Sequence, residues 1–238
     1  MAIKQHIPNS ITACNLISGC IAITFALSGN MEKAMLWIVI GAVFDFFDGM
    51  VARLLGVSSP IGKELDSLAD VVTFGVAPAA MIFHIINISP LPAFAEGLRN
   101  ILPYSAFLLP AFSALRLAKF NLDERQATGF IGLPTPANAL FWSSLIVGTS
   151  LATQSNTLWT IPLILIGILL CSWLMVAEIP MFALKFKQWG WRENEVKYVF
   201  LISCLFLLAI FGISAFAIII LWYVVLSFVV RKKTEKKS

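Results

Sequence analysis

From Pro8 to Ser28 the chain carries no charged side chain. A helix of about 20 apolar residues crosses the hydrocarbon core of a bilayer. In lipid few alternatives exist, because every backbone N–H and C=O must be satisfied inside the structure. Similar runs recur to the end of the chain. The pattern predicts eight helices, at about 8–28, 33–55, 63–88, 98–120, 134–152, 158–184, 196–211 and 213–230. The last two are short and only Gly212 separates them, so a single long tilted or buried helix competes there. Composition points the same way. Hydrophobic residues make up 59% of the 238 and charged residues 13%, and mean hydropathy is +0.87. That is the balance of an all-α, polytopic membrane helix bundle, not of a soluble domain.

The charges test this count, since cytoplasmic loops collect Lys and Arg. With the N-terminus inside, the inner segments carry Lys4, Arg53, Lys63, Arg116, Lys119, Arg125, Lys185, Lys187, Arg192, Lys197 and the tail cations Arg231, Lys232, Lys233, Lys236 and Lys237. The outer loops carry only Lys33 and Arg99. Merging the last two helices would put the RKKTEKK tail outside, so eight spans are preferred. The tail reads as an anchor on an anionic leaflet. Trp37, Trp189, Trp191 and Trp222 fall near span ends, as an aromatic belt would. The longest outer loop, about 89–97, holds Pro90 and Pro92 and reads as a structured turn. The start MAIKQHIPNS lacks a signal-cleavage pattern. Nothing in the charge pattern suggests nucleic acid. Cys14, Cys20, Cys171 and Cys204 lie in apolar runs without CxxC or Cys/His spacing, and read as small hydrophobes. His84 reads as a buried polar residue, His6 as solvated, and Glu178 as interfacial.

Four aspartates break this apolar background: Asp45, Asp48, Asp66 and Asp70. Spacings of three and four put each pair on one helix face. Gly56-Val57-Ser58-Ser59-Pro60 between the pairs is turn chemistry, so a helical hairpin brings four carboxylates together. Asp45 lies 12 residues beyond Lys33, about 18 Å along a helix, which places the cluster in the inner half of the membrane. One such Asp costs roughly 2.5–3.5 kcal/mol on insertion scales. Basic partners at that depth are too few for a salt-bridge network, so bound cations or protonation must compensate. Carboxylates without His or Cys select hard ions, Mg²⁺, Mn²⁺ or Ca²⁺. Two such ions suit phosphoryl transfer. Gly49, Ala52 and Gly62 leave room for a phosphate or nucleotide, and Arg53 is placed as a phosphate ligand. A divalent-cation transporter explains the carboxylates too, but not the Gly-x-x-Ala-Arg run.

The full pattern, D-x2-D-G-x2-A-R-x8-G-x3-D-x3-D, resembles without departure the motif of the CDP-alcohol phosphotransferase family. The resemblance implies a membrane enzyme with six core helices, a homodimer, that binds a CDP-linked substrate through divalent metals. It implies that Asp45, Asp48 and Asp66 ligate metal and that Asp70 is both ligand and base. It further implies that Gly49, Ala52, Arg53 and Gly62 line the CDP site with Asp48 and Asp66. The catalytic core would then span about 7–184 of one integral-membrane domain, 1–238, with two extra helices at about 196–230.

Three further stretches are similar to the bacterial and archaeal phosphatidylserine synthases of that family. In IPNSITACNLISGCIAI, Pro8, Thr12, Asn15 and Gly19 form a polar or small stripe that, with Asn9, would face the nucleotide or serve helix packing. GKELDSLADVVTFGVAPA extends the motif. ALRLAKFN with GFIGLPTPANA places Arg116, Lys119 and Asn121 at the inner end of the fourth helix, Lys119 standing where those enzymes usually carry Arg. This resemblance implies transfer of a phosphatidyl group from CDP-diacylglycerol to L-serine with release of CMP, in the cytoplasmic membrane of a prokaryote. The active site and both termini would face the cytosol. Arg116 and Lys119 are candidates for the serine carboxylate or for plain positive-inside anchors. Lys63 is a candidate for a phosphate or for solvent, and Pro134 and Pro136 would shape the serine pocket. Glycerol phosphate or inositol phosphate is the alternative acceptor, and each would want more cationic groups than serine does.

Overall fold

The computed structural model describes residues 2–91, 93–123, 130–149, 159–181, 190 and 194–235. Arg125, Lys185, Lys187, Trp189, Trp191, Arg192, Pro92 and the last three residues of the tail, all used above, lie outside them. Helix α1 (Ala2–Leu27) and α2 (Met31–Leu55) form a hairpin. The turn between them is built by Gly29 at φ +82° and by Asn30, whose side chain caps α2 by accepting from Lys33 N–H at 3.2 Å. Helix α1 starts earlier than predicted because Ala2–Ile7 are tolerable helix formers. Pro8 sits in its second turn, where its missing N–H leaves the carbonyl of the exposed Lys4 without a helical donor.

Gly56 ends α2 in the left-handed region at φ +62°, a geometry that glycine adopts without strain. Four residues later α3 (Pro60–Asp70) begins, with Pro60 in its first turn and Ser59 Oγ accepting from Gly62 N–H at 2.9 Å. A π-helical turn, Val71–Val76, joins it to α4 (Ala77–Ile88). Together they make one stretch, Pro60–Ile88, 61% buried over its most apolar window. It is the central helix, and α1, α2, α5 and α6 pack around it. At the π turn both α1 and α2 pack closely against the central helix. A Cβ on Gly41 would lie 3.0 Å from Asn15 Oδ1, and one on Gly19 would strike Thr73. Thr73 Oγ1 donates to the Asn15 carbonyl at 3.0 Å.

The fourth predicted helix divides. A 3-10 segment, Leu102–Phe107, leads into α5 (Leu108–Leu122). Pro103 opens the first piece and Pro110 the second, and proline suits only a helix start. Helix α6 is Thr135–Gly148 and α7 is Thr160–Val176. The latter stops short of the predicted 184 because Pro180 disfavours helix before it. The chain leaves α7 extended at Ala177, and β2 (Pro180–Met181) pairs antiparallel with β1 (Phe130–Ile131). Gly132, at φ +75°, tucks under the end of α7 so closely that a Cβ would meet the carbonyl oxygens of Leu174 and Met175 in its last turn and of Ala177 just beyond it.

Helices α8 (Glu195–Phe211) and α9 (Ala215–Glu235) fold back on each other at Gly212, φ +53°. Trp222 Nε1 on α9 donates to Ser203 Oγ on α8 at 3.1 Å, a contact one straight helix would not make, since these residues would be about 28 Å apart along it. Among the described residues, His6–Leu27, Met31–Leu55, Pro60–Ile88 and Glu195–Val229 are long and apolar enough to cross a membrane.

Candidate active site at the aspartate hairpin

Helices α2 and α3 bring the four aspartates together. One carboxylate oxygen each from Asp45, Asp48 and Asp66 lies within 4.8 Å of the others. Asp70 stands outside that triad but lies against Asp45, which also touches Asp66. Asp48 and Asp70 are buried, and Asp45 and Asp66 half-buried. Like charges so close, in apolar surroundings, repel unless a cation lies among them. Among the described residues, no basic side chain forms an ion pair with any of the four. Asp66 Oδ1 is buried and has no hydrogen-bond donor. These features fit a hard divalent ion held by carboxylates.

Helix α1 supports the cluster. Thr12 Oγ1 donates to Asp48 Oδ2 at 2.6 Å, and Asn15 Nδ2 donates to Asp70 Oδ1 at 3.3 Å. The small-residue stripe therefore divides by depth. Pro8, Asn9 and Thr12 line a cavity, Asn15 orients an aspartate, and Gly19 serves packing.

That cavity, about 350 Å³, is lined by Asn9, Thr12, Asp48, Gly49, Ala52, Gly62, Lys63 and Asp66, with Pro8 and Val57–Ser59 at its edge. Its two glycines have different reasons to be there. A Cβ on Gly49 would meet nothing closer than Arg53 Nη1 at 3.9 Å. A Cβ on Gly62 would lie 2.9 Å from both Asn9 Oδ1 and Ser59 Oγ. Gly49 thus keeps the cavity open, and Gly62 lets α1 and the α3 cap meet. Arg53 is exposed and is not part of the lining, though its guanidinium folds back over Gly49.

A second cavity, about 410 Å³, opens at the end of α5. It is lined by Arg116, Lys119, Asp123, Met175, Ala177 and Glu178, with Ile131 of β1. Arg116 is 6% exposed, sits 5.8 Å from the Phe120 ring, and lies within electrostatic reach of Asp70. Its Nε has no hydrogen-bond partner. Lys119 is exposed. Asn121 lines neither cavity. Its amide donates to Ser67 Oγ at 2.9 Å while its carbonyl accepts from Lys63 Nζ at 2.9 Å, so it clasps α3 to α5.

Sequence reasoning gave Asn15 no role beside Asp70. Its place one turn after Thr12 on the stripe was the available signal. Asn138, fully buried with both side-chain atoms unpartnered, and Thr135 beside Pro134 and Pro136 were also missed.

The family model described as CDP-alcohol phosphatidyltransferase matches residues 5–173. The CDP-diacylglycerol–serine O-phosphatidyltransferase of Bacillus subtilis (strain 168) is 40% identical over 175 residues, covering 74% of this chain and 89% of that one. The enzyme of the same name from Methanocaldococcus jannaschii is 33% identical over 214 residues, covering 90% and 88%. That of Saccharomyces cerevisiae is 36% identical over 173 residues, covering 65% and 56%. With the family model matching over most of its length and the aspartate motif complete, this chain belongs to the CDP-alcohol phosphatidyltransferase family.

Proposed function

We propose that this chain transfers the phosphatidyl group from CDP-diacylglycerol to L-serine, forming phosphatidylserine and CMP. One observation carries the reading. On a single helix, Asp66 faces the first cavity while Asp70 lies near Arg116, which lines the second. The acidic cluster therefore lines one cavity and lies within electrostatic reach of the arginine that lines the other, an arrangement suited to a two-substrate transfer. The names of the relatives support serine as the acceptor.

In this reading CDP occupies the cavity under Gly49, with Asn9, Ala52, Gly62 and Lys63 around it and Arg53 over its pyrophosphate. Asp45, Asp48 and Asp66, with Asp70 beside them, hold Mg²⁺ or Mn²⁺, with Ca²⁺ as a further candidate. When bound, such ions neutralise charge developing on the transferred phosphoryl group. Thr12 fixes the Asp48 carboxylate and Asn15 the Asp70 carboxylate, so the cluster is set before substrate arrives. Arg116, with Lys119, takes the serine carboxylate. Asp70 then accepts the proton of the serine hydroxyl as that oxygen attacks the lipid-side phosphorus and CMP departs. Burial of the cluster between α1, α2 and α3 keeps water away from the attacked phosphorus.

The same reading makes the chain one integral-membrane domain with eight spans, a catalytic core over about 7–184 and a C-terminal pair over about 196–230. Both termini and the site face the cytosol of a prokaryote, and the protein works as a homodimer. Purified protein supplied with CDP-diacylglycerol, a panel of acceptors and Mg²⁺ or Mn²⁺ tests the proposal. Serine-dependent CMP release with phosphatidylserine as product is expected. Release driven only by glycerol phosphate or inositol phosphate would overturn serine as the acceptor, and metal transport without CMP release would overturn the enzyme reading.

A further inference from the structure

Two helices end at the second cavity. Helix α5 stops at Leu122 and α7 at Val176, and both residues line it. A helix C-terminus carries the negative end of the helix dipole and favours a cation nearby. Just past these two ends stand carboxylates, Asp123 after α5 and Glu178 after α7, and both line the cavity. This part of the wall is suited to positive charge.

The same cavity also holds two cations, Arg116 and Lys119, on the last turns of α5. Arg116 is buried, and its Nε has no hydrogen-bond partner. A buried donor left open toward a cavity calls for an acceptor from a ligand. Exposure rises from Arg116 through Asp123 to Glu178. Arg116 precedes Asp123 by seven residues, about 10 Å along the helix. The lining therefore offers two positive and two negative groups, spread over the length of a small molecule. A ligand with one charge of each sign answers both. A phosphorylated alcohol answers only the cations and meets repulsion from the carboxylates.

We propose that the second cavity is a zwitterion site, in which Asp123 and Glu178 take the ammonium group of the acceptor while Arg116 and Lys119 take its carboxylate. The two acidic residues then select an amino acid over a phosphorylated alcohol. This rests on the acceptor reading of the second cavity given above.

The test uses full-length enzyme in detergent–lipid micelles, with serine as acceptor and glycerol phosphate as competitor. Asp123→Asn and Glu178→Gln each keep the side-chain shape and remove one charge. Each raises the KM for serine about tenfold, the size expected for a hydrogen bond to a charged group. The KM for CDP-diacylglycerol stays within about twofold, because neither residue lines the first cavity. In the double variant glycerol phosphate competes at least about tenfold more strongly than in wild type, since the like charges facing it are gone. Damage to the fold would instead weaken both ligands together. A serine KM unchanged in either single variant, or glycerol phosphate competing no better with the double variant than with wild type, would overturn the proposal. A wild-type enzyme that ignores serine would instead overturn the acceptor reading beneath it.

Discussion

Thr12 Oγ1 donates to Asp48 Oδ2 across 2.6 Å, and this buried bond joins α1 to the aspartate hairpin. A hydroxyl on a buried carboxylate is worth about 1.5–3 kcal/mol. Thr12→Val, which keeps the shape and removes the donor, is expected to lower kcat/KM for CDP-diacylglycerol about 10- to 100-fold. Thermal unfolding of the solubilised protein should move by only a few degrees. A wild-type kcat/KM would show that Asp48 needs no such support.

The two glycines of the first cavity are expected to fail differently. Gly49→Ala adds a methyl group to open space, so the protein should keep its melting temperature while CDP-diacylglycerol affinity falls. Gly62→Ala pushes on Asn9 and Ser59, so melting temperature and activity should drop together, by about 1–3 kcal/mol in stability. Melting curves beside CMP-release kinetics separate the two. Loss of stability in Gly49→Ala would contradict the open space around it.

Chelation should abolish turnover, and Mg²⁺ or Mn²⁺ should restore it. Asp66→Asn removes charge from the oxygen that has no protein donor. It is expected to raise the metal concentration for half-maximal activity at least about tenfold, while Asp70→Asn should abolish turnover with metal affinity less affected. Metal titration of activity, with calorimetry for binding, reads both. An Asp70→Asn enzyme of full turnover would exclude Asp70 as the base.

The topology has its own test. In a background free of the four native cysteines, Gly97→Cys should react with a membrane-impermeant thiol reagent in intact cells. Ala2→Cys and Ser238→Cys should react only after the membrane is opened. Labelling of just one terminus in intact cells would require an odd number of spans.

Much of the site was readable because helical spacing is rigid. A separation of three or four fixes a shared face, so Asp45 with Asp48 and Asp66 with Asp70 were paired from position alone. The turn between them was spelled by Gly56, Ser59 and Pro60. Contacts between distant segments have no such code. Asn15 reaches Asp70, and Lys63 reaches Asn121, only after three helices have packed. The stop of α7 at Val176 had its signal in Pro180, outweighed by the apolar run before it. Gly212 marked the fold-back of α8 on α9, but nothing in the composition of α9 indicated which of its faces would pack on the core. The π turn left no mark either, since Val, Thr, Phe and Gly are ordinary in any buried helix.

That π turn also governs how the chain tolerates insertions and deletions. Losing one residue from an α-helix turns everything beyond it by about 100°. A deletion within Ala77–Ile88 would swing the face that carries Met81, Ile82 and Ile85 out of the core, and one within Pro60–Asp70 would swing Asp66 away from Asp45. A π turn already holds a surplus residue. Between Val71 and Val76, the central helix can shorten by one and still leave Asp70 and Ile82 in phase. Length variation among relatives, if it enters this helix at all, is expected there, directly after the aspartate nearest to Arg116.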